Sequence, residues 1–238
     1  MIRVTGSRAA AVAVVVGSLA VVPSSLYQGP RSAVDVSAVA IATADEPRRS
    51  DHAFAVDRVR GRDVATRTTT TATSDCDGCV ATSSAVTVTY AKADGTARAD
   101  NVAHAWSSCV GCESRTVSVQ VVVLTRAATL RANNRSLAAN IACVECTSTA
   151  AAYQLVVVSP HGRVFDDAAL EELRRWARSA AEELGGTRTE QGLRAAPGSS
   201  TTHEALADLE RQARKALGPV TTLRRDADLT RGRPTTGG

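Results

Sequence analysis

The sequence predicts a mainly β protein, an antiparallel β-sandwich or rolled sheet of about four two-strand repeats that is followed by two α-helices. The first observation is a repeat. The stretch that starts at Cys109 recurs from Cys143, with a Cys-x-x-Cys, a short polar connection and a β-branched run in the same order. Such a spacing is typical of repeat architectures. The second observation is the composition, because 2 Phe, 3 Tyr and 2 Trp leave Val, Ala, Leu and Ile to build the core.

The N-terminus has the pattern of a signal peptide. Arg3 and Arg8 precede an uninterrupted run of apolar and small residues from Ala9 to Val22. A basic flank with a run of this length is typical of export, and the run is short for a membrane span. A buried core helix is the alternative. We expect a secreted or cell-surface protein with no membrane span in its mature form, in a compartment where disulfides form.

Each repeat contains two predicted strands. In the third repeat the second strand covers Thr116 to Thr125, where valines at every other position point one way while Ser118 and Gln120 point the other. The apolar end of this strand should be covered by another sheet or by a helix. The first segment of each repeat also favours a strand, although its last copy is compatible with a helical turn.

Four repeats are predicted, with starts near residues 37, 67, 101 and 134. The first has no cysteines. It is aligned by placing Glu46 on the first Cys of the other repeats, which puts Val56 in line with Val86.

The C-terminal third changes to a helical period. Leu and Ala recur at spacings of three and four between Asp167 and Leu184, and Asp166 can cap this helix. A second helix should begin at Thr201 and end at Gly218. The predicted boundaries are a signal peptide at 1–28, a β-repeat domain at 34–160, a helical appendage at 161–218 and a disordered tail at 219–238.

Six cysteines form three predicted pairs, and three interpretations of them are open. An even count on an exported chain favours disulfides, and the repetition favours bridges inside each Cys-x-x-Cys over bridges between repeats. Zinc would take two pairs as ligands and leave the third over. Thiol-redox motifs use a helix N-terminus, whereas these pairs run into strands. The candidate disulfide residues are Cys76, Cys79, Cys109, Cys112, Cys143 and Cys146.

Other functional motifs are weak. His203-Glu204 starts like a zinc-protease helix but lacks the second His four residues after the first. His104, His161 and Asp166 do not accompany a nucleophile-elbow pattern. Gln120 and Gln154 occupy the same repeat position, where satisfying backbone groups or facing solvent is a better interpretation than binding a ligand. The sequence therefore predicts no catalytic residue, no metal ligand and no cofactor.

Charge gives little indication of partners. The net charge of +4 is carried by scattered arginines, without the basic stripe and stacking aromatics of a nucleic-acid site. We expect no nucleic-acid partner, and we expect an unidentified protein of the cell envelope or the extracellular space.

Residues 34–185 resemble a group of secreted actinobacterial repeat proteins of unknown function. The resemblance is carried by the Asn-x-Ala-x-Ala segment at 101–105, the Cys-x-x-Cys pairs, and the segments Ser-Val-Gln-Val-Val-Val and Ala-Tyr-Gln-Leu-Val-Val. Similar repeats accompany membrane proteins described as peptide zinc metalloproteases. The Thr-rich start of the second repeat departs from the pattern, and the metalloprotease's metal-binding residues are missing here. The resemblance implies no activity, and the sequence predicts a non-enzymatic, disulfide-stapled binding or assembly module at the cell surface.

Overall fold

The computed structural model describes residues 33–126, 129–184 and 199–232. The predicted signal peptide lies outside this range, as does most of the linker between the helices. Two sheets and two helices make up the described chain. In chain order the elements are β1 Ala33–Ala42, β2 Arg48–Gly61, β3 Val64–Ser74, β4 Val80–Ala93, β5 Thr96–Ser107, β6 Glu113–Leu124, β7 Thr129–Asn140, β8 Thr147–Val158, α1 Asp167–Glu183, α2 Ser199–Leu217 and β9 Thr221–Arg231.

The strands wind into a β-solenoid of about four turns. Odd-numbered strands form sheet A in the order β1-β3-β5-β7, and sheet B has the order β2-β4-β6-β8-β9. All pairs from β1 to β8 are parallel. The prediction of a mainly β repeat fold is confirmed, and the prediction of an antiparallel sandwich or rolled sheet is wrong. Each short connection carries the chain from one sheet to the other, so a strand pairs with its copy one turn later and not with its neighbour in sequence.

The first turn is shifted by two residues from the predicted alignment. Phe54, and not Val56, is the register partner of Val86. The connection between β1 and β2 is as long as that between β3 and β4, with Ala44 and Pro47 in the places of Cys76 and Cys79. Glu46 therefore lies two residues further along its turn than the predicted alignment assumed. The first turn is complete but has no disulfide.

The interior between the sheets holds small and polar side chains along most of its length, and an apolar cluster that includes Val64, Val122 and Leu124 fills the end where β6 finishes. Gln120 and Gln154 are fully buried there, and Gln154 Nε2 donates to Gln120 Oε1 at 2.8 Å. The same nitrogen also donates to backbone carbonyls of Ala99 and Asn133. Of the two predicted roles for these glutamines, satisfying backbone groups agrees with these bonds, and facing solvent does not. Since buried polar groups cost free energy unless they are hydrogen-bonded, this ladder fixes the register of the turns.

Both helices pack on the outer face of sheet B. Val117, Val119, Val121 and Val123 point outward and are buried by leucines and alanines of α1 and α2. Tyr153 and Trp176 add an edge-to-face contact with ring centroids 5.4 Å apart. The predicted alternation of β6 is thereby confirmed. The prediction that another sheet or a helix covers its apolar end is also confirmed, since α1 and α2 pack there. In the described residues, neither helix is long and apolar enough to cross a membrane.

The start of α1 and the end of α2 follow the predicted signals, whereas α2 begins at Ser199, two residues before the predicted start at Thr201. Asp166 caps α1 by accepting a hydrogen bond from the backbone N–H of Ala169 at 2.8 Å. Gly218 follows α2 with a φ of 72°. The prediction of disorder after 219 is wrong for residues 221–231, because β9 pairs antiparallel with β8 and closes that edge of sheet B.

Aspartates block the open edges of sheet A. At the first edge, the N–H of Val39 donates to the Asp51 carboxylate at 2.7 Å. At the last edge, the N–H of Ser136 donates to the Asp228 carboxylate at 2.7 Å. A carboxylate bonded to an edge N–H occupies the place where a further strand would pair.

A pair of leucines in the last turn tests the helix-covered core. Leu155 is fully buried under the helices, whereas the Leu137 side chain is 43% exposed on sheet A. We expect Leu155→Ala to lower the free energy of unfolding by about 2–5 kcal/mol because it leaves a cavity. Leu137→Ala should change it by less than about 0.5 kcal/mol. Denaturant unfolding of both variants measures this, and equal losses would contradict the docking of the helices.

Removal of an edge aspartate should promote association. Asp51→Ala frees the N–H of Val39 on an edge strand, and we expect oligomers that grow with protein concentration in size-exclusion chromatography with light scattering. Asp45→Ala changes an exposed aspartate in the connection between β1 and β2 and is the matched control. It should have the same oligomeric state as the parent protein. An Asp51→Ala protein that behaves like its control would show that the carboxylate does not protect the edge.

Candidate functional site

The Cys-x-x-Cys pairs line one corner of the solenoid. They occupy the connections 75–79, 108–112 and 141–146, which we call the cysteine corner. The residue before the second cysteine has a left-handed backbone in each connection, with φ of 70° at Gly78, 64° at Gly111 and 56° at Glu145. Two of the three positions are glycine because other residues are strained there. Backbone bonds link the corners, since Gly78 N donates to Val110 O and Gly111 N to Val144 O, each at 2.8 Å.

The sulfur atoms lie at disulfide distance inside each pair. The bridges join Cys76 to Cys79, Cys109 to Cys112, and Cys143 to Cys146. The pairing is the local one that the sequence predicts. Each second cysteine comes directly before a strand, so the corner lacks the helix N-terminus that lowers the pKa of a redox cysteine.

Neighbouring bridges nearly touch. Cys112 Sγ lies 3.2 Å from Cys146 Sγ and 4.0 Å from Cys143 Sγ. With Cys109, the sulfurs of Cys112 and Cys146 form a group within 4.8 Å of one another. Tetrahedral zinc–thiolate sites need sulfurs about 3.8 Å apart. The corner can therefore staple the turns when oxidised. When reduced, the sulfurs of Cys109, Cys112 and Cys146 lie close enough to one another to share one metal ion.

A second feature is an apolar surface on the outer face of sheet A. Two lateral rows cross this face near the cysteine corner, one through Val39, Thr71, His104 and Leu137, the other through Ile41, Thr73, Trp106 and Ala139. The surface continues around the corner at Val110, Ile141 and Val144. We define the apolar surface by its large members: Val39, Ile41, Trp106, Val110, Leu137, Ile141 and Val144. All but Trp106, which is half-buried, are 43–53% exposed.

His104 lies in the middle of this surface. Burial lowers the pKa of its imidazole, and the neighbouring Arg135 lowers it further. A lowered pKa keeps the ring neutral at pH 7, so His104 adds no charge to the apolar surface.

The histidines and the aspartate that the sequence analysis considered for catalysis do not lie together in the structure. Asp166 caps α1 over sheet B, whereas His104 lies on the outer face of sheet A. His161 is in the exposed turn after β8, and His203 lies in α2. The Ser/His/Asp arrangement that the sequence made conceivable is therefore not formed by these residues.

Sequence reasoning missed the apolar surface. Two features of the sequence could have indicated this surface. Large residues alternate with alanine in β1 from Val39 to Ala42, and a leucine and an isoleucine stand at positions 137 and 141. Alternation alone does not show which side of a strand faces the interior. Here the alanines fill the narrow interior and the larger residues point outward.

Comparison with models of known protein families found no match, and neither curated proteins nor solved structures include a significant match to this chain.

The state of the cysteines is directly measurable. On protein purified from its native host without reductant, we expect alkylation to modify none of the six cysteines, and peptide mapping to return bridges inside each pair. Loss of one bridge in Cys109→Ser/Cys112→Ser should cost about 2 kcal/mol of unfolding free energy, because a short loop constrains the unfolded chain little. Thiols that react without reduction, or only after a chelator is added, would contradict the disulfides.

Proposed function

We propose that this protein is an exported, non-enzymatic β-solenoid that acts as a binding or assembly module at the cell surface, with a protein of the cell envelope as its partner. The observation that carries the proposal is the apolar surface, which leaves several large side chains more than two fifths exposed on one side of the solenoid. Scattered exposed apolar residues are ordinary, but a contiguous group of them is typical of an interaction site.

The division between the two sheets supports this function. The valine rows of sheet B lie under α1 and α2, whereas the outer face of sheet A has no cover among the described residues. Parallel strands give sheet A a regular face, and the local disulfides hold the adjoining corner. A rigid face loses little conformational entropy on binding, which favours recognition of another protein.

Trp106 is the expected anchor of that interaction. It is half-buried in the row of Ile41 and Thr73, so its ring is held in place while part of it stays accessible. Tryptophan is enriched among the residues that contribute most to protein interfaces. Neutral His104 beside it can be desolvated at lower cost than a charged side chain.

The remaining steps of the proposal come from the sequence. Export is supported by the basic and apolar start of the chain, and the non-enzymatic character by the weak catalytic motifs. The resemblance to secreted repeat proteins supports a cell-surface location and suggests an accessory role beside a peptide or its processing enzyme. A gene for such an enzyme next to the gene for this chain would favour that role over a general assembly module.

A matched pair of double variants tests the binding surface. Ile41→Ser/Leu137→Ser removes two exposed apolar side chains from the apolar surface, whereas Val56→Ser/Leu223→Ser removes two side chains of comparable exposure from sheet B. In pull-downs from the native cell envelope, we expect the first variant to bind its partner or the wall roughly tenfold more weakly. The control should bind as the parent does. Absence of any partner or wall association in the parent, or equal losses in both variants, would contradict the proposal.

A metal or thiol-redox protein is the second candidate function. It is favoured by the 3.2 Å approach of Cys112 Sγ to Cys146 Sγ between two neighbouring turns. Zinc found by elemental analysis after native purification, or disulfide-reductase activity, would support it over the binding module. A protein with neither property would remove it.

A further inference from the structure

A cavity of about 200 Å³ lies on the outer face of sheet B, at the end of the sheet away from the cysteine corner. The row of Phe54, Val86, Val119 and Tyr153 is apolar or aromatic and lies under the helices. Four residues further along these strands, the outward positions become Arg58, Tyr90, Val123 and Val157. Two residues beyond those, Arg60 and Lys92 are register partners. The face therefore changes from apolar to basic where α1 no longer covers it.

The turn after β8 closes the cavity from above. Ser159 leaves the sheet, and Gly162 N donates back to Ser159 O at 3.1 Å. Gly162 has a φ of 63°, which lets the chain reverse and places Arg163 and Val164 against the ends of the strands. The walls thus come from three strands and from the segment that leads into α1.

Positive charge dominates the lining. Arg58, Arg60, Lys92 and Arg163 line the cavity, and no described carboxylate does. None of the four forms an ion pair with another described residue, although Arg58 lies over the Tyr90 ring at 5.8 Å from its centroid. The guanidinium of Arg163 lies beside Gly218 at the end of α2, so the cations left around the cavity are Arg58, Arg60 and Lys92. These three like charges repel each other, and an anion placed among them would relieve that repulsion.

Two hydroxyl groups in the lining have capacity for a ligand. Tyr90 Oη accepts a hydrogen bond from the N–H of Phe165 at 2.7 Å, which leaves its own proton for another acceptor. Burial raises the pKa of Tyr90, so the hydroxyl remains a donor at neutral pH. Ser159 is only 1% exposed, and its Oγ has no hydrogen-bond partner within the described residues. Buried hydroxyls are ordinarily bonded, so an unpartnered one indicates a missing acceptor.

We infer that this cavity binds a phosphate group, either free or carried by a larger molecule. Three cationic side chains and two hydroxyl donors exceed what the two oxygens of a carboxylate can accept, whereas a phosphate offers more oxygens and a second charge. The cavity is also larger than the ion itself, which leaves room for the start of an attached group. It lies on the opposite side of the solenoid from the apolar surface, so the inference does not depend on the proposed binding function.

Calorimetric titration of the exported chain with inorganic phosphate tests the site, with sodium chloride at equal ionic strength as the reference. Arg60→Ala/Lys92→Ala removes two cations from the lining. Arg98→Ala/Arg131→Ala is the matched control, since these exposed arginines are register partners on the outer face of sheet A. We expect the affinity for phosphate to fall about tenfold or more in the first variant and to stay within about twofold in the control.

Glycerol phosphate in a parallel titration distinguishes the source. Tighter binding of glycerol phosphate than of inorganic phosphate would identify a phosphate carried by a larger molecule, and the reverse would identify the free ion. Ser159→Ala should weaken binding of the preferred compound without lowering the melting temperature, because its hydroxyl has no protein partner to lose. Phosphate that binds no better than chloride, or losses in the control variant equal to those in the cavity variant, would overturn the inference.

Discussion

In-register parallel pairing between successive turns is the constraint on which the rest of this structure depends. Each strand pairs residue by residue with its copy one turn later, as Val64 does with Ala97. Each position on one turn therefore lies beside its own copy on the next. A side chain that suits one turn therefore has to suit its stacked neighbours. This explains why the glutamines form a ladder inside, why the cysteines gather at one corner, and why apolar side chains collect into surfaces rather than scatter.

A narrow interior follows from the same pairing. Two sheets joined by short connections leave room for alanine, serine and threonine but for few larger side chains. Thr66 and Thr68 of β3 pair through their hydroxyls with Thr89 and Thr87 of β4, at 3.0 Å and 2.9 Å. Such polar contacts specify register more strictly than an apolar interior would, because a slip of the strands would leave buried donors and acceptors unpaired. Apolar burial comes from two places: the cluster with Val64, Val122 and Leu124 at one end of the interior, and the valine rows that the helices cover outside the solenoid.

A solenoid also has to be terminated. Stacked turns leave open strands at both ends, and these would recruit further strands. In sheet B the antiparallel β9 covers the edge of β8, while β2 remains an edge strand at the other end. The edges of sheet A are occupied at one N–H each by Asp51 and Asp228. Gln154 is the last amide of the interior ladder, and its buried Oε1 has no donor among the described residues. A following turn would have supplied that donor, so the orphaned oxygen marks where the repeat ends.

The sequence by itself determined the local features of this protein. The repeat period, the strand in each valine run and the N-cap of α1 depend on neighbouring residues, and a repeat displays its own features several times. The same residues favoured a disulfide inside each Cys-x-x-Cys but left other pairings and a metal site open. Even the alternation of β6 was correct, with Val119 on one face and Gln120 on the other. These features need no knowledge of distant contacts.

Only the tertiary structure decided how the repeats stack. Parallel and antiparallel sheets can be built from the same alternating strands, and the choice depends on whether a connection such as 108–112 turns within a sheet or between sheets. That choice also decided which face became interior, because the sequence pattern of β6 allows either face to be buried. The apolar surface around Trp106 and the basic cavity beside Tyr90 join residues from different turns. Their composition is visible in the sequence, but their proximity comes from the stacking.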